Sequence, residues 1–171
     1  MNLTIRKGKL ADADNYIELL RHARSLMAHK EWFYLDKSED VRTWLGNGVM
    51  ELWVAEDDTG RLAGGFNILL PGLEDYNYGY DLGLSREELL RVIHMDTAVV
   101  HPDFRGHKLQ RRLMTVIEQD LFARYPDCIL LTTVHPENIY SLSNVRSLGY
   151  EPVKRLAKYG SERYILRKDA P

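Results

Sequence analysis

The sequence predicts an α/β (α+β) fold in which one domain, residues 1–171, contains a mixed and mostly antiparallel central sheet flanked by helices. Segments 50–55 and 62–70 are β-rich and flank an Asp-Asp-Thr-Gly turn, which is typical of an antiparallel hairpin, and two further β-rich segments close the chain. The apolar strands 93–100 and 129–134 are separated by a helical segment, which indicates one parallel crossover.

The chain before the hairpin predicts one strand and two helices. Residues 3–6 are the expected strand, and apolar residues at helical spacing follow it. Polar residues that cap helices and glycines that end them give the expected helix boundaries. These boundary residues are Asp12 or Asp14 for the start of the first helix, Ser38 for the start of the second, and Gly46 or Gly48 for its end.

The segment 71–84 lacks periodicity and is rich in glycine, tyrosine and acidic residues, so we expect a surface loop. Ser85 is the expected cap of a helical turn that continues to Leu90. The strand 93–100 follows, and its apolar residues without polar alternation indicate that both of its faces are covered.

The C-terminal half predicts two helices that alternate with strands. Pro102 ends the central strand, and a helix is expected from about Arg105, with Glu118 on its solvent side. The remaining expected elements are a strand at 129–134, a helix at 138–148 ended by Gly149, and strands at 150–159 and 162–166.

Composition limits the functional classes. The chain has 171 residues, of which 44% are hydrophobic and 28% charged, and its net charge is −2. No apolar run reaches the roughly 20 residues of a membrane helix, and no long basic run supports nucleic-acid binding. The first residues lack the apolar segment that is typical of a signal sequence, and Cys128 is the single cysteine, so we expect a cytoplasmic protein with Cys128 in the core. The histidines lack the spacing of metal ligands, so no metal site is expected.

The turn after the central strand has the chemistry of an anion site. The N-terminus of a helix presents unpaired backbone N–H groups and the positive end of the helix dipole. Basic side chains surround this turn, and they add further positive charge: Arg105, His107, Lys108 and Arg111. A small phosphorylated ligand is therefore expected here.

With its frame Val-His-Pro-Asp-Phe-Arg-Gly, this stretch resembles the GNAT superfamily of acetyl-CoA-dependent N-acyltransferases. The superfamily signature is Arg or Gln, two residues, Gly, one residue, then Gly or Ala. Arg105 matches it, whereas Lys108 and Gln110 stand at the two small-residue positions. A side chain at position 108 can weaken or shift the pyrophosphate contact, and the charge of a lysine can offset this.

A second block, Thr133 to Ser141 closed by Gly149-Tyr150, is similar to the later GNAT motif, in which an Asn opens a helix that ends in a Gly-aromatic pair. Asn138 can cap this helix and also offer its amide to a ligand. The resemblance implies that acetyl-CoA is the cosubstrate and that pantetheine pairs with the central strand. The residues implied to bind it are Ala98, Val99, Val100, Arg105, Gly106, His107, Lys108, Leu109, Gln110, Arg111, Asn138 and Ser141.

The resemblance implies direct attack of a substrate amine on the acetyl thioester. Asp96 and His94 lie two residues apart and thus on one face of the central strand, and they are the candidates that take the amine's proton. A carboxylate in an apolar strand is costly unless it is paired or functional, so a structural partner for Asp96 remains the alternative. The family often has a tyrosine as general acid where this chain has Val145, and Tyr140 lies on another face of that helix.

The expected acceptor is the primary amine of a small molecule or a peptide. Acidic and tyrosine side chains of the 71–84 segment are candidates for its binding, with a solvated loop as the alternative: Glu74, Asp75, Tyr76, Tyr78, Tyr80 and Asp81. A non-catalytic acyl-CoA-binding or regulatory module would also explain the departures at Lys108, Gln110 and Val145. Nucleoside-triphosphate and dinucleotide loops are missing. The oligomeric state is left open, with a homodimer as one option.

Overall fold

The computed structural model describes residues 2–171, so the first residue of the expected domain lies outside the described part. The strands are β1 (Thr4–Lys7), β2 (Met50–Glu56), β3 (Leu62–Leu69), β4 (Val92–Val100), β5 (Ile129–Val134), β6 (Glu151–Lys158) and β7 (Ser161–Asp169). The helices are α1 (Ala13–Ser25), α2 (Ser38–Asn47), α3 (Arg86–Leu89), α4 (Leu109–Arg124) and α5 (Ile139–Ser147).

The strands form one mixed sheet in the order β1-β2-β3-β4-β5-β7-β6. β4 and β5 are parallel, whereas β1 with β2, β5 with β7 and β6 with β7 are antiparallel. This order and the helices confirm the predicted α/β class. None of the helices within residues 2–171 combines the length and the apolar character needed to cross a bilayer.

The described residues group into two compact units. The first contains the chain up to Ile68 together with Thr97–Ile117, and the second contains Leu69–Asp96 and Glu118–Pro171. In the first unit, buried residues of α1 pack against β2 and against Val99 of β4, which forms one core cluster. In the second unit, Tyr78 packs against buried residues of β4, β5 and β7.

The helix starts follow the sequence prediction in part. Asp12 occupies the N-cap of α1, as one of the two predicted candidates, but its side chain makes no capping bond, because its carboxylate accepts from the Arg6 guanidinium and from the Lys9 backbone N–H. Lys37 occupies the N-cap of α2, and Ser38 is its first residue. Gly48 does end α2, with φ at +81°. Ser85 caps α3 as predicted, in a capping box with Glu88.

The start of α4 was predicted too early. A 3₁₀ turn, Pro102–Phe104, follows β4, and α4 begins at Leu109 rather than near Arg105. The His101 side chain accepts the N–H of Asp103 and stabilises this turn, which the 3.6-residue pattern of the helix could not reveal. The residues 105–108 are therefore a loop that precedes the helix.

Two further predictions about burial were wrong. Glu118 is buried, not on the solvent side, because the Lys168 ammonium donates to its Oε2 at 2.6 Å. The segment 71–84 is only in part a surface loop, since Asn77, Tyr78 and Gly79 are buried. The Asn77 amide fixes this segment internally by donating to the carbonyls of Gly72 and Leu89.

The last strands match their predicted positions with small shifts at the ends. β6 ends at Lys158, and β7 continues to Asp169, beyond the expected end at residue 166. Cys128 is buried, and burial raises the pKa of its thiol to about 11, which agrees with the predicted core role.

Candidate active site

The loop between β4 and α4 exposes its basic residues and has two positive φ angles in four residues. Gly106 has φ +85° and Lys108 has φ +54°, and residues 105–108 are all exposed. Positive φ is a conformation that favours glycine, and a lysine adopts it only under strain. The backbone at position 108 thus has a conformation that favours glycine, although the residue is a lysine.

The helix that follows this loop, α4, begins with backbone N–H groups that have no acceptor within the helix. Its first intrahelical bond joins the Arg112 N–H to the Lys108 carbonyl at 3.0 Å. The N–H groups of the three residues before Arg112 precede that bond, and the first N–H groups of a helix have no intrahelical acceptor. Together with the exposed Arg105 and Arg111 side chains, they provide positive potential in one unit of the structure.

The second half of β4 is less covered than the sequence predicted. Val99 is buried in the core, whereas Ala98 and Val100 are half-buried, as is Asp96. The expectation of a strand covered on both faces therefore holds for Val92–Met95 and fails beyond them. Accessible residues at this end of the strand are compatible with a ligand, and the predicted role of Ala98, Val99 and Val100 in binding pantetheine stays a prediction.

Asn138 caps α5, as its position at the start of that helix indicated. The Ser141 backbone N–H donates to Asn138 Oδ1 at 3.2 Å. The cap uses the amide oxygen, so Nδ2 is the Asn138 atom with which a ligand oxygen would have to pair. On the same helix, Val145 is buried and Tyr140 is 68% exposed, so these residues do lie on different faces.

His94 is held in the interior by its contact with Tyr78. The two rings are stacked with centroids 3.9 Å apart, and the Tyr78 backbone N–H donates to His94 Nε2 at 3.1 Å. Burial, and secondarily the charge of Lys158, lowers the pKa of His94 to about 3. The imidazole is therefore neutral with its proton on Nδ1, and this geometry argues against its predicted role as the acceptor of the amine's proton.

Asp96 lies two residues after His94 on the same face of β4, as predicted. The parallel register pairs Val92 with Ile129, Ile93 with Leu130 and His94 with Leu131, and it ends there, two residues before Asp96. β4 therefore pairs with only the first half of β5, Ile129 to Leu131, whereas β7 pairs with β5 along its whole length, to Val134. Asp96 is thus a half-buried carboxylate beyond the paired part of the two parallel strands.

The hydroxyls of Tyr78 and Tyr159 form a pair that the sequence did not predict. Their oxygens are 2.6 Å apart. Burial, followed by the charges of Asp96 and Tyr159, raises the pKa of Tyr78 well above its usual value. Gly160 is a typical turn residue, but nothing local indicates that Tyr159 contacts Tyr78.

The six predicted acceptor-binding residues differ in their surroundings. Glu74 and Asp75 are exposed, and Tyr76 is edge-on to His94 with ring centroids 6.4 Å apart. Tyr80 is exposed, and its hydroxyl donates to the Leu73 carbonyl. All six were expected on a surface loop, and this was wrong for Tyr78, which is buried. Asp81 is half-buried, and its carboxylate pairs with the Lys158 ammonium at 2.9 Å.

The two compact units each hold part of the predicted site. The first contains Ala98, Val99, Val100 and the segment from Arg105 to Arg111. The second contains the six loop residues, His94, Asp96, Asn138 and Ser141. Within the second unit, His94, Asp96 and Tyr78 are brought together.

Residues 17–150, most of the chain, match the acetyltransferase (GNAT) family. The chain belongs to the GNAT acetyltransferase family. The family suggested by the two sequence motifs and the predicted enzyme class, an acyltransferase, are both confirmed. No curated protein sequence matches this GNAT member significantly.

Solved structures of acetyltransferases share this GNAT fold over nearly the whole chain. NAA60 from Arabidopsis thaliana, in complex with acetyl-CoA, is 14% identical, with a TM-score of 0.74 and 98% of both chains covered. The phosphinothricin acetyltransferase from Sinorhizobium meliloti, also with acetyl-CoA, is 16% identical, with a TM-score of 0.72 and 99% of this chain and 89% of that chain covered. The ribosomal-protein-alanine N-acetyltransferase from Brucella melitensis is 19% identical, with a TM-score of 0.73 and 97% and 99% covered.

Proposed function

We propose that this GNAT member transfers the acetyl group of acetyl-CoA directly to a primary amine of a small molecule or a peptide. The observation that carries this proposal is the Asp96 carboxylate, which lies half-buried on β4 and is close enough to Tyr78 to raise the pKa of its hydroxyl, in a chain of an acetyltransferase family. A carboxylate in such a position can accept a proton from the attacking ammonium.

Acetyl-CoA is supported as the cosubstrate in two ways. Two proteins of the same fold, NAA60 and the phosphinothricin acetyltransferase, contain it. In addition, the loop from Arg105 to Lys108 and the N-terminus of α4 present N–H groups and basic side chains, which suit the pyrophosphate of coenzyme A. We place the reaction in the cytoplasm, where a lone cysteine such as Cys128 stays reduced.

The reaction consumes an ammonium and a thioester and yields an amide, free coenzyme A and one proton. Holding the two reactants in place can remove about 7 to 11 kcal/mol of the barrier, whereas an acid or base typically adds a factor of about 10² to 10⁴. A buried Val145 in place of a general-acid tyrosine is therefore compatible with turnover. Asp96 takes the proton that makes the amine nucleophilic, and His94 positions the strand face without exchanging a proton.

The exposed carboxylates of Glu74 and Asp75 favour an acceptor with a further positive charge. The Asp81 carboxylate adds little to this preference because the Lys158 ammonium neutralises it at 2.9 Å. Replacing both exposed groups, by Glu74→Gln and Asp75→Asn, should raise the KM of a cationic acceptor and leave that of acetyl-CoA unchanged. The matched control removes two exposed charges elsewhere, by Asp58→Asn and Glu87→Gln. A rise confined to acetyl-CoA would refute the acceptor assignment.

The deciding experiment is an amine panel assayed for release of free coenzyme A. It contains polyamines, amino acids, aminoglycosides and peptides with free N-termini, each offered with acetyl-CoA. The proposal expects acetylation of at least one amine class, with the product identified by mass. Saturable coenzyme A binding without transfer to any amine would instead identify a binding or regulatory module.

A further inference from the structure

Gly64 is a buried residue of β3 that lies against two parts of the predicted acetyl-CoA site. A Cβ atom at this position would lie 2.7 Å from the Val99 carbonyl oxygen and 3.0 Å from Leu109 Cδ2. Ordinary van der Waals contact begins at about 3.4 Å, so both atoms occupy space that any side chain would need. Val99 belongs to the segment of β4 expected to pair with pantetheine, and Leu109 is the first residue of α4. All three residues belong to the first unit.

The glycine contacts β4 on the edge of the strand that faces β3. The Val99 carbonyl oxygen lies against β3, and two residues later the His101 N–H donates to the Ala63 carbonyl at 2.8 Å. In an extended strand, the backbone groups of successive residues point to opposite edges. Those of Ala98 and Val100 therefore point away from β3, toward the edge at which pantetheine would pair. The glycine thus touches the strand on the side away from the ligand.

The other face of β3 is packed as closely. Gly65 points to the opposite face from Gly64, and a Cβ atom there would lie 2.8 Å from two ring carbons of Tyr16. The Tyr16 hydroxyl lies 2.6 Å from Asn67 Oδ1 of β3 and 3.2 Å from the Thr97 carbonyl oxygen of β4. Tyr16 thereby ties the two strands together. A clash at Gly64 would therefore strain or break these contacts as well.

Under the proposed function, coenzyme A is held in two places at once. Its pantetheine arm pairs with residues 98–100, and its pyrophosphate binds at the loop 105–108 and the first turn of α4. When a ligand binds through two linked groups, the affinity gained by the link is lost if the geometry prevents both groups from engaging. The spacing between the strand and the start of the helix therefore decides how tightly coenzyme A binds.

We propose that Gly64 is a positioning residue for acetyl-CoA, because its lack of a side chain sets the spacing between the pantetheine-binding part of β4 and the N-terminus of α4. The Val99 carbonyl and the Leu109 side chain share the space beside it. An alanine would displace at least one of them by a few tenths of an ångström or more, together with the strand or the helix end. This role rests on the part of the proposed function that concerns the cosubstrate, since it presupposes that acetyl-CoA binds at these two places.

The test compares Gly64→Ala with the native protein, using coenzyme A in calorimetry and ADP as a competitor. Coenzyme A spans both parts of the site, whereas ADP carries the pyrophosphate without the pantetheine arm. Gly64→Ala should weaken coenzyme A binding by about tenfold or more and change ADP binding by less than about twofold. With the best amine of the panel, the KM of acetyl-CoA should rise by a similar factor, and the KM of the amine should stay unchanged.

The matched control is Gly8→Ala. A Cβ atom at Gly8 would lie 2.8 Å from Leu52 Cγ, so this variant overpacks the same unit against a side chain of β2 rather than against the backbone of β4. It should lower the melting temperature and leave the affinity for coenzyme A unchanged. If it weakens coenzyme A binding as much as Gly64→Ala does, lost stability is the cause and the positioning role is wrong.

A second variant is available if Gly64→Ala folds poorly. Leu109→Val removes the Cδ2 atom, so the double variant Gly64→Ala with Leu109→Val keeps only the clash with the Val99 carbonyl. It should fold and bind coenzyme A more weakly than Leu109→Val alone. Equal affinities of the double variant and Leu109→Val would overturn the positioning role.

These measurements separate the positioning role from the proposed function, because coenzyme A binding needs no acceptor. If the native protein binds coenzyme A but acetylates no amine, the proposed function is wrong, and a tenfold loss in Gly64→Ala still supports the positioning role. If the native protein does not bind coenzyme A, both are wrong. If an amine is acetylated and folded Gly64→Ala keeps the native affinity, only the positioning role is wrong. Equal losses for coenzyme A and ADP also overturn it, since the spacing does not affect the smaller ligand.

Discussion

The imidazole of His94 stacks on the ring of Tyr78 with an interplanar angle of 10°, and its Nε2 accepts the backbone N–H of the same tyrosine. His94 thus contacts both the ring and the backbone N–H of Tyr78. It can accept that N–H only as a neutral imidazole. This relationship separates His94 from Asp96, which the sequence had paired as candidates for one chemical role. It also makes a property of the fold depend on pH.

Stability should fall as the pH drops from about 6.5 toward about 3. The pKa of His94 is lowered to about 3 in the folded protein, so in this range the unfolded chain binds the proton more readily. The loss attributable to His94 is about 1.4 kcal/mol for each pH unit. His94→Gln keeps an acceptor for the Tyr78 N–H and should flatten this slope in urea unfolding. His107→Gln, at an exposed position, should keep the native slope; an equal flattening in both would contradict the assignment.

Asp96→Asn should lower kcat by about 10² or more while leaving the melting temperature and the affinity for acetyl-CoA unchanged. The reason is that the amide cannot take the proton of the ammonium. Asp120→Asn removes a carboxylate that pairs with Arg124 on α4, and it should keep the native kcat. A structural Asp96 predicts the reverse, a lower melting temperature with nearly normal turnover of the folded fraction.

Arg105→Glu should weaken acetyl-CoA binding by about 1 kcal/mol or more, because it places a negative charge beside the expected phosphate site at a helix N-terminus. Calorimetry measures this affinity directly. Arg112→Glu makes the same charge reversal seven residues further on, at the first residue of α4 whose N–H is bonded within the helix, and should have a smaller effect. Equal losses of affinity in the two variants would contradict a phosphate site at Arg105, because they would reflect only the change in overall charge.

Lys108→Gly should be more stable than Lys108→Ala by about 1 kcal/mol, because only glycine adopts a φ of +54° without strain. Thermal unfolding of both variants measures this difference. Both lose the same ammonium, so their comparison is independent of charge. Equal melting temperatures would show that the loop relaxes out of this conformation.

Lys168→Met should destabilise the protein by about 3–5 kcal/mol, because it leaves the buried Glu118 carboxylate without its cation. The double variant Glu118→Leu with Lys168→Met should recover most of that loss, since no charge then remains in the interior. Urea unfolding gives both values. If the double variant is as unstable as the single one, the charge of Glu118 is not the cause.

Local patterns in the sequence were sufficient for most of the fold. The hairpin of β2 and β3 and the Asn138 cap each depend on residues a few positions apart, so they could be predicted. Glu118 was misplaced because its partner Lys168 belongs to a distant strand, and helical periodicity alone puts a carboxylate in solvent. The start of α4 was missed because the 3₁₀ turn before it has no periodic signal.

The candidate site divides in the same way. Asp96 could be singled out because a carboxylate is unusual in an apolar strand. Tyr78 was assigned to a surface loop, since its burial depends on His94 and on the distant Tyr159, which no local pattern connects. The ion pair of Asp81 with Lys158 is hidden for the same reason.

The outer strand β6 limits how this chain can associate with other chains. It stands at one end of the sheet order, and most of its residues are exposed. Pro152 lacks an N–H to donate, the register shifts between Pro152 and Lys154, and Lys154 and Arg155 add charge. These features oppose the addition of a further strand to a sheet edge. Growth of the sheet from this edge into a second copy is therefore disfavoured, and a homodimer formed by strand addition would have to use another edge.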